Sequence, residues 1–130
     1  MAFILDRFGK ETHALLRIVA GLLFLWHGSS KIFGFPTPAP DAPAFVIYVA
    51  GGIELVGGVL VLIGLYTRQA AFLCSGLMAS AYWMAHGTKA LFPLQNGGEL
   101  AMLFSFVFLL FAAWGAGPLS LDARIVARRE

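Results

Sequence analysis

Charged residues are scarce in this chain. Only 12% of its 130 residues are Asp, Glu, Lys or Arg, whereas 59% are hydrophobic. A soluble domain of ordinary composition has about 25% charged residues. The mean hydropathy is +0.81, and the apolar residues fall in long blocks. These features exclude an ordinary soluble domain and predict an all-α, polytopic membrane protein.

Cysteine and net charge are also nearly absent. Cys74 is the single cysteine, so this chain alone cannot form an intrachain disulfide or a dithiol redox pair. The formal net charge is only +2, and no basic run with interleaved aromatic residues occurs. We therefore do not expect nucleic acid as a partner.

Four apolar blocks predict four transmembrane helices. The predicted spans are residues 14–35, 44–65, 70–87 and 99–116, each close to the roughly 20 residues needed to cross a bilayer. A proline-rich loop separates the first two spans, and a short polar turn makes the second and third antiparallel neighbours. We expect an antiparallel four-transmembrane-helix bundle that forms a single domain over residues 1–130.

Lysine and arginine predict the orientation of this bundle, because they accumulate on the cytoplasmic side of membrane proteins. An even number of spans leaves both termini on one side. That side carries Arg7, Lys10, Arg68, Arg124, Arg128 and Arg129. The opposite side carries only Lys31 and Lys89. We expect both termini in the cytoplasm of a bacterial-type inner membrane.

One carboxylic acid, Glu54, lies near the centre of the second span. An ionisable group at that depth is costly, so it should face protein or water and have a partner. Ala50, Gly57 and Gly64 recur every seven residues around it, which predicts a flat stripe where another helix approaches closely.

The first span carries the candidate partners. Arg17, His27 and Lys31 fall within about 80° of one another on a helix. Counted from the outer membrane surface, His27 and Glu54 lie at depths of roughly 12 and 15 Å. We predict a buried His27–Glu54 pair below a polar, outward-facing mouth. Arg17 is predicted to lie deeper, where it reaches Glu54 or the lipid head groups.

A cavity of this kind would suit a quinone or a similar planar ligand. Glu54 and His27 are candidate catalytic residues that would relay protons. The further candidate ligand-binding residues would balance charge, form the walls of the cavity or control its opening. They are Arg17, Lys31, Trp26, Tyr82, Trp83, His86, Asn96 and Glu99. The alternative is that the charged residues satisfy one another and only stabilise the bundle.

Other chemistries have weaker support. Haem b held by His27 and His86 is disfavoured because their inferred depths differ by several residues. The spacing of histidines and carboxylates does not favour a metal site, since no candidate pair is three or four residues apart. A small carrier is a further alternative, although no internal repeat is visible.

Several segments together resemble the DoxX family of small four-helix membrane proteins, which includes the DoxD-like subunits of thiosulfate:quinone oxidoreductases. The resemblance covers residues 14–122. Its matching pieces are Arg17, HGSSKIFG at 27–34, GGIELVGG at 51–58, GLYTR at 64–68, His86, NGGE at 96–99 and GAGPLSLD at 115–122.

The resemblance implies a redox-linked membrane subunit that partners an oxidoreductase or a larger membrane complex. Apart from the resemblance, a homo-oligomer is a further candidate assembly. If the chain is part of an enzyme, it would be an accessory subunit of a quinone-linked oxidoreductase. It lacks the additional domain of the thiosulfate-oxidising members, which argues against thiosulfate as its substrate. A non-catalytic interaction subunit of a larger complex is the main alternative.

Overall fold

The computed structural model of the protein describes residues 4–129, which are helical and contain no strand. Residues 1–3 and 130 belong to the predicted domain but lie outside the described part. The bounds of the helices are α1 Gly9–Phe33, α2 Gly51–Ile63, α3 Thr67–Tyr82, α4 Pro93–Asn96, α5 Glu99–Trp114 and α6 Leu121–Ala127. A 3-10 turn at Asp6–Phe8 precedes α1, and π-helical turns at Val46–Ala50 and Trp83–Gly87 extend α2 and α3.

Two helical segments are long and apolar enough to cross a membrane. Asp6–Phe33 has 28 residues and a mean hydropathy of 1.2, and Val46–Ile63 has 18 residues and a mean hydropathy of 2.3. Glu99–Trp114 is a shorter apolar helix. All four predicted spans coincide with helices to within a few residues. The short helices α4 and α6 lie outside the four predicted spans.

Glycine lets α1 and α2 pack backbone against backbone. A Cβ on Gly21 would lie 2.5 Å from the backbone N of Leu62, and a Cβ on Gly28 would lie 2.3 Å from the backbone N of Leu55. As residue numbers rise along α1, the facing numbers fall along α2, so the two helices are antiparallel. Close approach of this kind needs small residues at the interface.

The glycine stripe of α2 that faces α1 differs from the predicted one. It consists of Gly51 and Gly58, whose added Cβ atoms would meet α1. A Cβ on Gly57 would instead lie 2.4 Å from Cys74 Sγ of α3, and Gly64 is the left-handed cap of α2. Successive residues of a helix point in directions 100° apart. Because α2 packs against both α1 and α3, it presents a different glycine face to each of them.

Serine hydrogen bonds join α3 and α5. Ser75 Oγ donates to the carbonyl of Ser105 at 2.8 Å, and Ser105 Oγ donates to the carbonyl of Ser75 at 3.3 Å. Arg68, at the start of α3, donates to carbonyls at the end of α5. These contacts make α3 and α5 antiparallel. Exchanged hydroxyl–carbonyl bonds satisfy polar atoms where no water competes.

The buried core is aromatic, and much of the outer surface of the helices is apolar. Phe24, Phe108 and Phe111 are almost fully buried, with the Phe24 and Phe108 ring centroids 4.6 Å apart. Large apolar side chains on α1, α2, α3 and α5 are exposed, among them Leu23, Val56, Phe72, Leu103 and Phe106. Apolar surface this extensive is unusual for a protein surrounded by water, and it is typical of helices that face lipid.

Candidate functional site

An ion pair joins α1 to α2 at the end of the molecule away from the termini. Lys31 Nζ donates to both carboxylate oxygens of Glu54, at 2.6 Å to Oε2 and 2.8 Å to Oε1. The Glu54 side chain is 4% exposed and the Lys31 side chain 22%. The close glycine contacts at Gly28 and Gly51 bring the two side chains within reach. Glu54 thus has the buried position and the charged partner expected of a midspan acid.

The pair forms part of the wall of a cavity of about 500 Å³. Parts of α1, α2, α3 and α5 enclose it, together with the proline-rich loop and both π-helical turns. Its polar lining residues include His27, Ser30, Lys31, Asp41, Glu54 and His86, and its apolar lining includes Val46, Leu77, Met78, Leu100 and Phe104. This volume lies within the range of small-molecule sites, about 300–1,000 Å³. A single cavity therefore combines apolar walls with a few polar groups.

The two histidines of the cavity have different surroundings. His86 Nδ1 lies 3.0 Å from the carbonyl oxygen of Asn96, which fixes its ring. His27 contacts the ring of Phe104 edge-on, with centroids 6.1 Å apart. Within residues 4–129 no hydrogen bond is made by the His27 ring. His27 lines the cavity but is exposed, so the predicted buried His27–Glu54 pair is not formed. The partner of the Glu54 carboxylate is Lys31.

Asn96, which contacts the His86 ring, belongs to a buried polar cluster. The Asn96 side chain donates to Tyr82 Oη at 3.2 Å and to the carbonyl of Ala90 at 3.1 Å, and it accepts from the Gly98 N–H at 2.8 Å. Tyr82 and Asn96 are both buried and neither lines the cavity. They hold the loop that follows His86 against the end of α3.

Three predicted wall or mouth residues lie elsewhere. Trp26 packs against Phe35, and Trp83 is 65% exposed. Glu99 is exposed and lines a separate surface groove. The helix geometry of α5 explains the last result, because Leu100 and Phe104 face the cavity and Glu99 is turned away from them. The aromatic wall of the cavity is Phe104.

Arg17 lies at the opposite end of the bundle, so the expectation that it reaches Glu54 or lipid head groups was wrong. The side chain is fully buried and does not line the cavity. Its acceptors are the carbonyls of Val61, Leu62, Ala116 and Leu119, at 2.6 to 2.8 Å, and more distantly that of Pro118 at 3.5 Å. Two of them belong to the last turn of α2, where carbonyls lack full intrahelical pairing. Arg17 fastens the segment after α5 to the end of α2.

The comparisons with known proteins can be set beside this geometry. The family model described as DoxX matches residues 12–87, which is more than half of the chain. The chain belongs to the DoxX family. The matched range contains all of the polar cavity residues named above, which are His27, Ser30, Lys31, Asp41, Glu54 and His86.

Relatives extend this DoxX-family similarity along most of the chain. A Haemophilus influenzae protein is 42% identical over 125 residues, which cover 91% of this chain and 93% of the relative. The Bacillus subtilis protein named "Putative oxidoreductase CatD" is 33% identical, covering 83% and 82%. The Escherichia coli "Inner membrane protein YqjF" is 28% identical, covering 82% and 85%. No solved structure matches the chain significantly. The protein is therefore a DoxX-family membrane protein.

Asp41 is a cavity residue that the sequence did not reveal. It lies in the proline-rich loop and lines the cavity with Ala39, Pro40 and Ala42. Ser30 Oγ donates to the carbonyl of Thr37 at 2.6 Å and fastens this loop to α1. A loop has no periodicity from which a facing direction can be read. The nearest hint was the position of an acid among four prolines next to two spans with polar faces.

Among the described residues, no group of three or more His, Cys, Asp or Glu side chains is arranged to hold a metal ion. His27, Glu54 and His86 line one cavity, but Glu54 is engaged by Lys31. The polar groups of the cavity are therefore better suited to hydrogen bonding with an organic ligand.

Proposed function

We propose that this protein is a redox-associated subunit that binds a quinone or a similar small planar ligand in the cavity. One observation carries the proposal. The buried Lys31–Glu54 ion pair lines an open cavity that also presents two histidines. Ionisable groups buried in a membrane protein usually mark a functional site.

The proposal includes a topology. The four long helical segments would cross the inner membrane as an antiparallel bundle, with both termini in the cytoplasm. The exposed apolar side chains of α1, α2, α3 and α5 support this arrangement, as does the excess of Lys and Arg at the terminal end. The cavity, lined by the two loops remote from the termini, would then open outward.

The lining suits a planar ring with polar oxygens. Leu77, Met78 and Phe104 offer apolar and aromatic contacts, and His27, Lys31 and His86 offer nitrogen atoms. An ammonium group has three N–H donors, and two of those on Lys31 are directed at Glu54. The third would donate to a carbonyl oxygen of the ligand.

The protein's part in a redox step would be to hold the ring and supply protons. A quinone, when bound, takes up two electrons and two protons. His27 has no hydrogen bond to another described residue, so its ring is available to donate to or accept from the ligand. Glu54 and Lys31 would exchange a proton only when their pair opens, and Glu54 would act with His27 as the proton relay.

In this proposal the electrons come from a partner protein. The name of the Bacillus subtilis relative, "Putative oxidoreductase CatD", supports association with an oxidoreductase or a larger membrane complex. A second copy of the chain is a further candidate partner.

The test is quinone binding to the purified protein in lipid nanodiscs. We expect one uncharged naphthoquinone per chain in wild type, and binding weakened at least about tenfold in His27→Ala and Glu54→Gln, which lose a polar contact of the cavity. Phe72→Leu, on the exposed face of α3 outside the cavity, is the control and should bind like wild type. Unchanged affinity in both cavity variants would refute the proposal.

The second candidate is a non-catalytic interaction subunit. The observation in its favour is that both oxygens of Glu54 are already satisfied by Lys31, as in a purely structural pair. In that case Glu54→Gln would lower the thermal stability or the yield of a larger complex, and quinone affinity would not be measurable in any variant.

A further inference from the structure

The cavity has an uneven balance of charge. Of its lining residues that the structure describes, three carry a full charge when histidine is neutral: Lys31, Asp41 and Glu54. Lys31 and Glu54 neutralise each other through a two-oxygen contact at 2.6 and 2.8 Å. Asp41 is left as the uncompensated charge of the lining.

The carboxylate of Asp41 is unpaired within the part of the chain that the structure describes. Within residues 4–129 the structure contains no hydrogen bond or ion pair to its carboxylate. It lies on the proline-rich loop, at the exposed rim of the cavity, whereas the Lys31–Glu54 pair is on the helices below. A ligand entering past this loop would therefore meet a free negative charge before it reaches the pair.

We propose that the cavity admits uncharged and cationic ligands and discriminates against anionic ones, with Asp41 as the residue that determines this selectivity. The inference rests on the proposed function only in taking the cavity as a ligand site. Walls of low polarity focus the field of a fixed charge into a cleft. A unit charge within about 8 Å changes a local concentration roughly fivefold at an intermediate effective dielectric constant.

The Lys31–Glu54 ion pair also limits the attraction of Lys31 for anions. A lysine at the base of a cavity would by itself attract anions. Here its charge is compensated at contact distance by Glu54, so it offers a hydrogen-bond donor with little net field. We therefore infer that a neutral carbonyl compound, such as a quinone, fits the cavity, and that a small oxyanion does not.

The potential inside the cavity can be measured without knowing the ligand. Ala85 lines the cavity and is exposed, so Ala85→Cys places a reactive thiol there. Its reaction rates with a trimethylammonium and a sulfonate methanethiosulfonate reagent, at pH 8 and low salt, are divided by the rates for a free thiol. Native Cys74 is fully buried, and the parent protein serves as the blank.

Substitutions of Asp41 test whether its charge causes the preference for the cationic reagent. We expect Ala85→Cys to favour the cationic reagent at least about fivefold over the free thiol. Asp41→Asn should bring the ratio close to that of the free thiol, and Asp41→Glu should retain the preference. Leu94→Cys, on α4 outside the cavity and 79% exposed, should give a ratio that does not change with Asp41→Asn.

Each outcome decides the inference. A ratio at Ala85→Cys that equals the free-thiol value, favours the anionic reagent, or is unchanged by Asp41→Asn overturns it. A thiol at that position that reacts with neither reagent also overturns it, because the cavity would be closed to ligands from water. If the cationic preference and its loss are seen but no naphthoquinone binds, the charge selectivity stands and the proposed function fails.

Discussion

Lys31 Nζ lies within 2.8 Å of both carboxylate oxygens of Glu54, across the interface of α1 and α2. The two ends of this contact differ in exposure, since the Lys31 side chain is 22% exposed and the Glu54 side chain 4%. Without its partner, Lys31 can still reach water through the cavity. Glu54 is almost fully buried and has much less access to water, so the two residues respond differently to removal of the other.

This asymmetry predicts unequal effects of two substitutions. Lys31→Met leaves a buried carboxylate without a counter-charge, and we expect a loss of about 3 kcal/mol in the free energy of unfolding. Glu54→Gln keeps the shape of the side chain and leaves an ammonium that can be solvated, so we expect a loss of about 1 kcal/mol. Reversible unfolding in mixed detergent micelles measures both values.

The double variant Lys31→Met/Glu54→Gln completes this comparison. Because it leaves no unpaired charge, it should be more stable than Lys31→Met alone. If Glu54→Gln cost as much as Lys31→Met, or if the two losses simply added, the ion pair would not have the buried geometry described.

Gly58 and Gly76 form a matched pair of helical glycines. A Cβ on Gly58 would lie 2.5 Å from the backbone N of Leu25, whereas nothing lies within 4 Å of a Cβ on Gly76. Gly58→Ala must therefore push α1 away from α2, and we expect a loss of about 2 kcal/mol in the free energy of unfolding. Gly76→Ala should raise stability by up to about 1 kcal/mol, because alanine is the better helix former.

Thermal unfolding of the two alanine variants provides the measurement. Equal effects of the two substitutions would contradict the close packing of α1 against α2. The sign of the Gly76→Ala effect is an internal control, since it depends on helix propensity and not on any contact.

Arg17 is predicted to act on stability and not on ligand binding. Its guanidinium donates to five backbone carbonyls on two segments, the end of α2 and the segment after α5, and an ammonium group cannot span the same set. We expect Arg17→Lys to lower the free energy of unfolding by about 3 kcal/mol. Arg128→Lys, at an exposed position after α6, is the control and should have no measurable effect.

Ligand titration tests whether Arg17 also affects ligand binding. In the folded fraction of Arg17→Lys, naphthoquinone affinity should equal that of wild type, because the side chain does not line the cavity. A stable Arg17→Lys variant with weakened ligand binding would reverse this assignment.

Much of the fold follows from the sequence, because long apolar blocks and proline-rich or glycine-rich breaks are local features. Of the polar face predicted for the first span, Lys31 contacts Glu54, whereas Arg17 binds backbone carbonyls at the other end of the bundle. The predicted partner of Glu54 was His27, not Lys31. Depths counted from assumed membrane boundaries favoured His27 as the partner of Glu54. In the structure the partner is Lys31, because the glycine contacts bring α1 and α2 close together and the lysine side chain is long enough to reach the carboxylate.

The parts of the site that were missed depend on chain segments without periodicity. The segment after α5 folds back to offer its carbonyls to Arg17, and the proline-rich loop brings Asp41 to the cavity. Neither arrangement could be read from spacing along the sequence. The aromatic wall was assigned to Trp26, Tyr82 and Trp83, whereas Phe104 provides it.

The most direct test of the ligand site is to map where a photoreactive azidoquinone attaches to the protein in nanodiscs. We predict crosslinks on cavity-lining segments of α1, α2 and α3, around His27, Ala50 and Met78, that disappear when excess unlabelled quinone is added. Crosslinks confined to lipid-facing side chains such as Phe72 and Phe106, unaffected by the competitor, would contradict the proposal that the cavity binds a quinone.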